Sequence, residues 1–99
     1  MSLRGRPIEQ EATLPDGRTV LVRVGVPDDR YVPQKEIRTV DVELVSDGEH
    51  LAAVNTVLLP EQESEALALV RQIVAGLGSG DLEPTAAAIE PLADDPPVA

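Results

Sequence analysis

Asp-Gly occurs twice in this chain, at Asp16–Gly17 and Asp47–Gly48, and each time it stands between two stretches in which polar and apolar residues alternate. Alternation with a period of two puts one set of side chains on each side of a strand. Asp-Gly supplies the backbone freedom that a tight reversal needs. Together they commit the first half of the chain to antiparallel hairpins.

The first is "IEQEATLPDGRTVLVRVGV", residues 8–26. Pro15, Asp16 and Gly17 carry the chemistry of a three-residue loop that closes with a glycine bulge: proline presets φ, aspartate bonds the local backbone, glycine accepts positive φ. That loop pairs Leu14 with Arg18. It sets Ala12, Gln10 and Ile8 beside Val20, Val22 and Val24 on one face, and Thr13, Glu11 and Glu9 beside Thr19, Leu21 and Arg23 on the other. A loop one residue shorter would set Val20 and Val22 against Thr13 and Glu11, so the apolar pattern selects the first register. Val20, Val22, Val24 and Val26 form the inward stripe.

The second is "VDVELVSDGEHLAAVNTVLL", residues 40–59. Val40, Val42 and Leu44 face inward; Thr39, Asp41 and Glu43 face out. A three-residue loop pairs Val42 with Ala52 and Val40 with Val54. A two-residue loop pairs Val42 with Ala53 and Leu44 with Leu51, and turns Asn55 inward. The former keeps the apolar side intact and is preferred. Between the hairpins, "PDDRYVPQKE" (residues 27–36) is the longest connection, with two prolines and five charges.

Pro60 ends the sheet and suits a helix start. Glu61, Glu63 and Glu65 then cluster at the positive end of a helix dipole. Ala66, Leu69, Val70, Ile73, Val74 and Leu77 share one helical stripe, with Leu67 on its flank, and Gly76 or Gly78 is the stop signal. The predicted fold is therefore α+β: a four-stranded antiparallel sheet from two hairpins, one long helix on one face (β-β-β-β-α), and a short C-terminal helical turn between Pro84 and Glu90, limited by Pro91. Residues 1–78 form the domain, and 79–99 are a Gly-, Pro- and acid-rich tail, partly mobile. One helix covers four strands poorly. The tail around Leu82, Ile89 and Leu92, or a second copy of the chain, is left to cover what remains.

Composition narrows the function. The 99 residues hold no Phe, Trp or Cys and a single tyrosine, so the core is aliphatic and thiol chemistry, disulfides and thiolate metal sites are excluded. The net charge is −10. It is uneven: residues 1–35 carry six basic and five acidic side chains, net +1, and residues 36–99 carry two and thirteen, net −11. Such a field repels phosphate backbones and anionic lipid, which argues against nucleic-acid and membrane partners; it fits simple solubility, the commoner reason for a charged surface, or a basic protein partner. No apolar run reaches the ~20 residues of a membrane span, and nothing at the N-terminus has the form of a signal peptide, so a cytoplasmic protein is expected. Arginine over lysine, with abundant alanine, valine and proline, is the bias expected of a GC-rich bacterial genome.

Each candidate for chemistry has a plainer reading. His50 beside Asp47 and Glu49 has the makings of a carboxylate-oriented base, but a hairpin tip has no walls and no convergent nucleophile, so it reads as a solvated turn. Asp28–Asp29 and Asp94–Asp95 lack the oxygen count and glycine turn of a calcium loop. Ser46, Ser64 and Ser79 have no histidine or lysine at a suggestive spacing. "GLGSG" (76–80) follows a helix where phosphate loops precede one, and it lacks the lysine. Tyr31 with Arg30 is a candidate partner anchor, since both residue types are enriched at binding hot spots; the plainer reading folds Tyr31 back as a lid on one end of the sheet. Leu21, Val45, Val57, Ile37, Leu51 and Leu59 add apolar surface to the outer side of the sheet. The chain reads as a small non-catalytic protein-interaction module without cofactor or metal, possessing two routes to a homodimer: its outer sheet face or an edge strand. The competing reading is an accessory domain holding a small molecule or peptide between helix and sheet.

Overall fold

The computed structural model describes residues 7–25 and 39–96. Six elements follow one another: β1 (Ile8–Thr13), β2 (Thr19–Gly25), β3 (Asp41–Ser46), β4 (Glu49–Asn55), α1 (Glu63–Ser79) and α2 (Ala86–Asp94). The strands form one antiparallel sheet in the order β1-β2-β3-β4, and the fold is the expected α+β arrangement. Val26, Asp28, Asp29, Arg30, Tyr31 and Ile37 lie outside the described residues.

The first hairpin has the register that its apolar pattern selects. Six pairs run without a break from Ile8–Val24 to Thr13–Thr19. The Leu14 N–H donates to the Arg18 carbonyl at 2.7 Å, which closes the three-residue loop. Gly17 has φ +93°. The Asp16 carboxylate accepts from the Arg18 backbone N–H at 3.0 Å and from its guanidinium Nε at 2.8 Å. Those bonds, the backbone one first, hold the carboxyl below its ordinary value.

The second hairpin corrects the expectation. Its loop is the two-residue Asp47–Gly48 turn, with φ +51° and +77°, as a type I′ turn requires. Ser46 pairs with Glu49 and Val45 with His50, but the next pair is Leu44–Ala52, and Val42 faces Val54. Leu51 is the extra residue of a β-bulge. A bulge shifts the register by one and restores the facing of everything beyond it. The short turn and an intact inner face are thus compatible, and neither uniform register is the true one. Leu51 packs against the core and does not join the outer face.

Both helices lie on the inner face. α1 packs on β1 and β2, and α2 packs on β4 and touches α1. The core is aliphatic: Val20, Val22, Val24, Val40, Leu44, Leu69, Val70, Ile73, Leu77 and Ile89 have no exposed surface. α1 begins at Glu63, with Gln62 in the N-cap position and the Pro60–Glu61 turn before it. It runs through Gly76 and Gly78 and ends at Gly80, whose φ of +84° forms the left-handed cap. Gly76 is inside the helix for a packing reason: a Cβ there would stand 2.9 Å from Leu82 Cβ.

The C-terminal segment is a structural part of the domain. Thr85 caps α2 by accepting from the Ala88 N–H. α2 continues through Pro91 to Asp94, beyond the expected limit. Proline removes one backbone bond. The burial of Ile89 and Ala93, both 0% exposed, and of half-buried Leu92 offsets that loss. Leu82, Ile89 and Leu92 therefore close the inner face. They do not cover the outer one.

Candidate interaction surface

With both helices on one side, the other side of the sheet has no layer over it among the described residues. Strand register sets its composition. One cross-strand row reads Glu11, Leu21, Val45, His50, and the next reads Glu9, Arg23, Glu43, Ala53. A third holds Gly25, Asp41 and Asn55. Leu21 and Val45 are direct partners on β2 and β3 and are both half-buried. Around this apolar pair stand four carboxylates, Glu9, Glu11, Asp41 and Glu43, and one guanidinium, Arg23. Arg23 sits between Glu9 and Glu43, where opposite charges across strands attract.

Polar groups at one end of this face are tied to one another. Thr39 Oγ1 donates to Asn55 Oδ1 at 3.0 Å, and Asn55 Nδ2 donates to Asp41 Oδ1 at 2.8 Å. At the opposite end Ser46 Oγ donates to the Thr19 carbonyl at 2.8 Å and joins the second hairpin to β2. Ser46 is thus a structural bond. Ser79 donates to the Gly76 carbonyl in the last turn of α1, and Ser64 is exposed on the first.

His50 is over half exposed, and the Glu43 carboxylate is 3.9 Å from its Nε2. Asp47 and Glu49 are exposed at the turn. This is a loose, exposed contact, and such surface pairs contribute little. Among the described residues, no three His, Asp or Glu side chains converge as a metal site would require. No described helix is long and apolar enough to cross a membrane.

Of the five proposed contact residues, Arg30 and Tyr31 lie outside the described residues; the structure brings Leu21 and Val45 together and sets Val57 apart. Val57 is 56% exposed but lies past the end of β4, where its N–H donates to the Ala93 carbonyl of α2. Leu59 is exposed nearby. The alternation of acids with Leu21 and Val45 was the signal in the sequence. The row in which they meet follows from the β2–β3 pairing, and the intervening linker hides that pairing from a linear reading. No family model, curated protein or solved structure matches this chain.

Proposed function

We propose that this chain is a small protein-interaction module that acts by binding and not by catalysis, and that its working surface is the helix-free side of the sheet. The observation that carries the reading is the Leu21–Val45 pair, half-buried in the middle of a face that has no layer over it among the described residues, and ringed by charge. An antiparallel sheet with one wet face ordinarily alternates more cleanly. An apolar centre inside a polar rim is the anatomy of a binding patch.

The same structure weighs against the accessory-domain reading with a ligand between helix and sheet. Leu69, Val70, Ile73 and Leu77 of α1 and Val20, Val22, Val24 and Leu44 of the sheet have no exposed surface, so this interface is filled by the chain's own side chains. The partner that fits the outer face is a basic protein. Four carboxylates against one guanidinium favour lysine and arginine opposite them.

The test is quantitative capture from the native host by the purified wild-type chain, by Leu21→Glu, and by Gln72→Glu on the exposed side of α1. Mass spectrometry should show a basic protein retained by wild type and Gln72→Glu and lost with Leu21→Glu. Equal retention by all three, with each variant folded by circular dichroism, would assign binding to another surface.

A further inference from the structure

We infer that the free edge of β1 accepts a fifth strand, supplied by a partner segment in which apolar residues alternate with lysine or arginine. The inference rests on the reading of the chain as a binding module and specifies how the partner is held.

The two edges of the sheet are built differently. β4 is interrupted by the bulge at Leu51, and the chain just past it is tied to α2 through the Val57 N–H and the Ala93 carbonyl. Bulges and covering elements are the usual guards of an edge. β1 has neither. It runs six residues in unbroken register with no proline or lysine inside it, and among the described residues it pairs only with β2. Bonding in an antiparallel pair alternates along the strand. The Leu14–Arg18 bond fixes the phase, so Ala12 and Gln10 bond to β2 while the N–H and C=O groups of Glu9 and Glu11 face away from it.

Each side of this edge favours a particular kind of strand. On the outer face Glu9 and Glu11 stand at the rim, both exposed. On the inner face α1 reaches past β1: a Cβ at Gly78 would lie 3.7 Å from the Thr13 carbonyl oxygen, which puts the Gly78 flank of the helix beside the edge. Leu67, Arg71 and Val74 fall on that same flank by helical spacing; Leu67 and Val74 are half-buried, as is Ile8 on β1, and Arg71 is exposed. An added strand would therefore find Leu67, Val74 and Ile8, with the aliphatic stem of Arg71 among them, for its inward side chains and two carboxylates for its outward ones. Main-chain bonds would supply affinity and the alternating side chains specificity.

A second copy of β1 fits this edge poorly. In the two longest registers, two-fold antiparallel pairing that keeps the apolar sides together sets Glu9 opposite Glu11 or Glu11 opposite itself. Like charges directly opposite one another destabilise a strand pair. The charge pattern thus selects a basic partner and disfavours self-pairing.

The experiment titrates the isotope-labelled full chain with a capped peptide, Lys-Val-Lys-Val-Lys-Val, and with Glu-Val-Glu-Val-Glu-Val as control, following amide shifts and hydrogen exchange. In the free chain Glu9 and Glu11 amides should exchange quickly and Gln10 and Ala12 slowly. The lysine peptide should protect Glu9 and Glu11, and the glutamate peptide should not. Glu9→Lys with Glu11→Lys should weaken the lysine peptide about tenfold and let the glutamate peptide bind. Glu9→Gln with Glu11→Gln, if the charge reversal fails to fold, should weaken the lysine peptide alone. Protection of Glu9 and Glu11 in the free chain, binding of both peptides alike, or binding of neither would overturn the inference. Shifts confined to Leu21, Val45 and Ala53 would also overturn strand addition while leaving the outer-face reading intact.

Discussion

Replacing Ile89 by alanine tests whether the C-terminal helix belongs to the folded core. Ile89 is 0% exposed and belongs to the same buried cluster as Val40, Leu44 and Ile73. The substitution removes three carbon atoms. At ~0.8 kcal/mol per buried methylene the transfer loss is roughly 2.4 kcal/mol, and the cavity left behind adds to it within the ~2–5 kcal/mol typical of such truncations. Alanine's better helix propensity returns a few tenths. The net expectation is a loss of about 3 kcal/mol, a large share of the ~5–15 kcal/mol of a small domain. That corresponds to a melting point lower by roughly 12–24 °C. With no tryptophan and one tyrosine in the chain, urea unfolding is best followed by far-ultraviolet circular dichroism. The control is Glu90→Ala on the exposed side of α2, expected within ~0.5 kcal/mol of wild type. An Ile89→Ala midpoint indistinguishable from that control would refute the packing of α2 on β4.

Three further perturbations probe other parts of the account. Ile73→Asp puts an unpaired charge at the centre of the α1 stripe and should leave the chain unfolded by circular dichroism at 25 °C. Thr56→Val removes a buried hydroxyl that donates to the Val40 carbonyl at 2.8 Å and accepts from the Leu58 N–H at 3.1 Å; stranding that N–H should cost about 1–3 kcal/mol in urea unfolding. His50→Ala should shift the stability in urea unfolding by no more than ~0.5 kcal/mol, because the ring is exposed and its contact with Glu43 is loose.

The first hairpin was readable to the residue because two independent signals agreed. Pro15-Asp16-Gly17 named the loop, and the valines at 20, 22 and 24 named the register. In the second hairpin the signals conflicted. Asp47-Gly48 asked for a two-residue turn, while Ala52 and Val54 asked for the other facing. A single extra residue, Leu51, satisfies both, and a bulge of that kind leaves no composition mark. The full length of α2 is not legible locally, because Pro91 has the form of a helix stop. Ile89 and Ala93, four residues apart, carried the contrary signal of a buried helical face. The surface was half legible. Alternation put the acids outward, but the difference between the two edges is tertiary: α2 packs beside β4 and α1 beside β1, which local pattern does not encode.

The central claim is that the helix-free side of the sheet is where this chain meets its partner. A photo-activatable residue placed in the full chain at Ala53, on that face, and at Gln72, on the exposed side of α1, tests it in the living host. The account predicts a discrete adduct with a basic protein from position 53 and none from position 72. Adducts from position 72 alone, or a product from position 53 of twice the chain's own 10.5 kDa mass and nothing else, would contradict it.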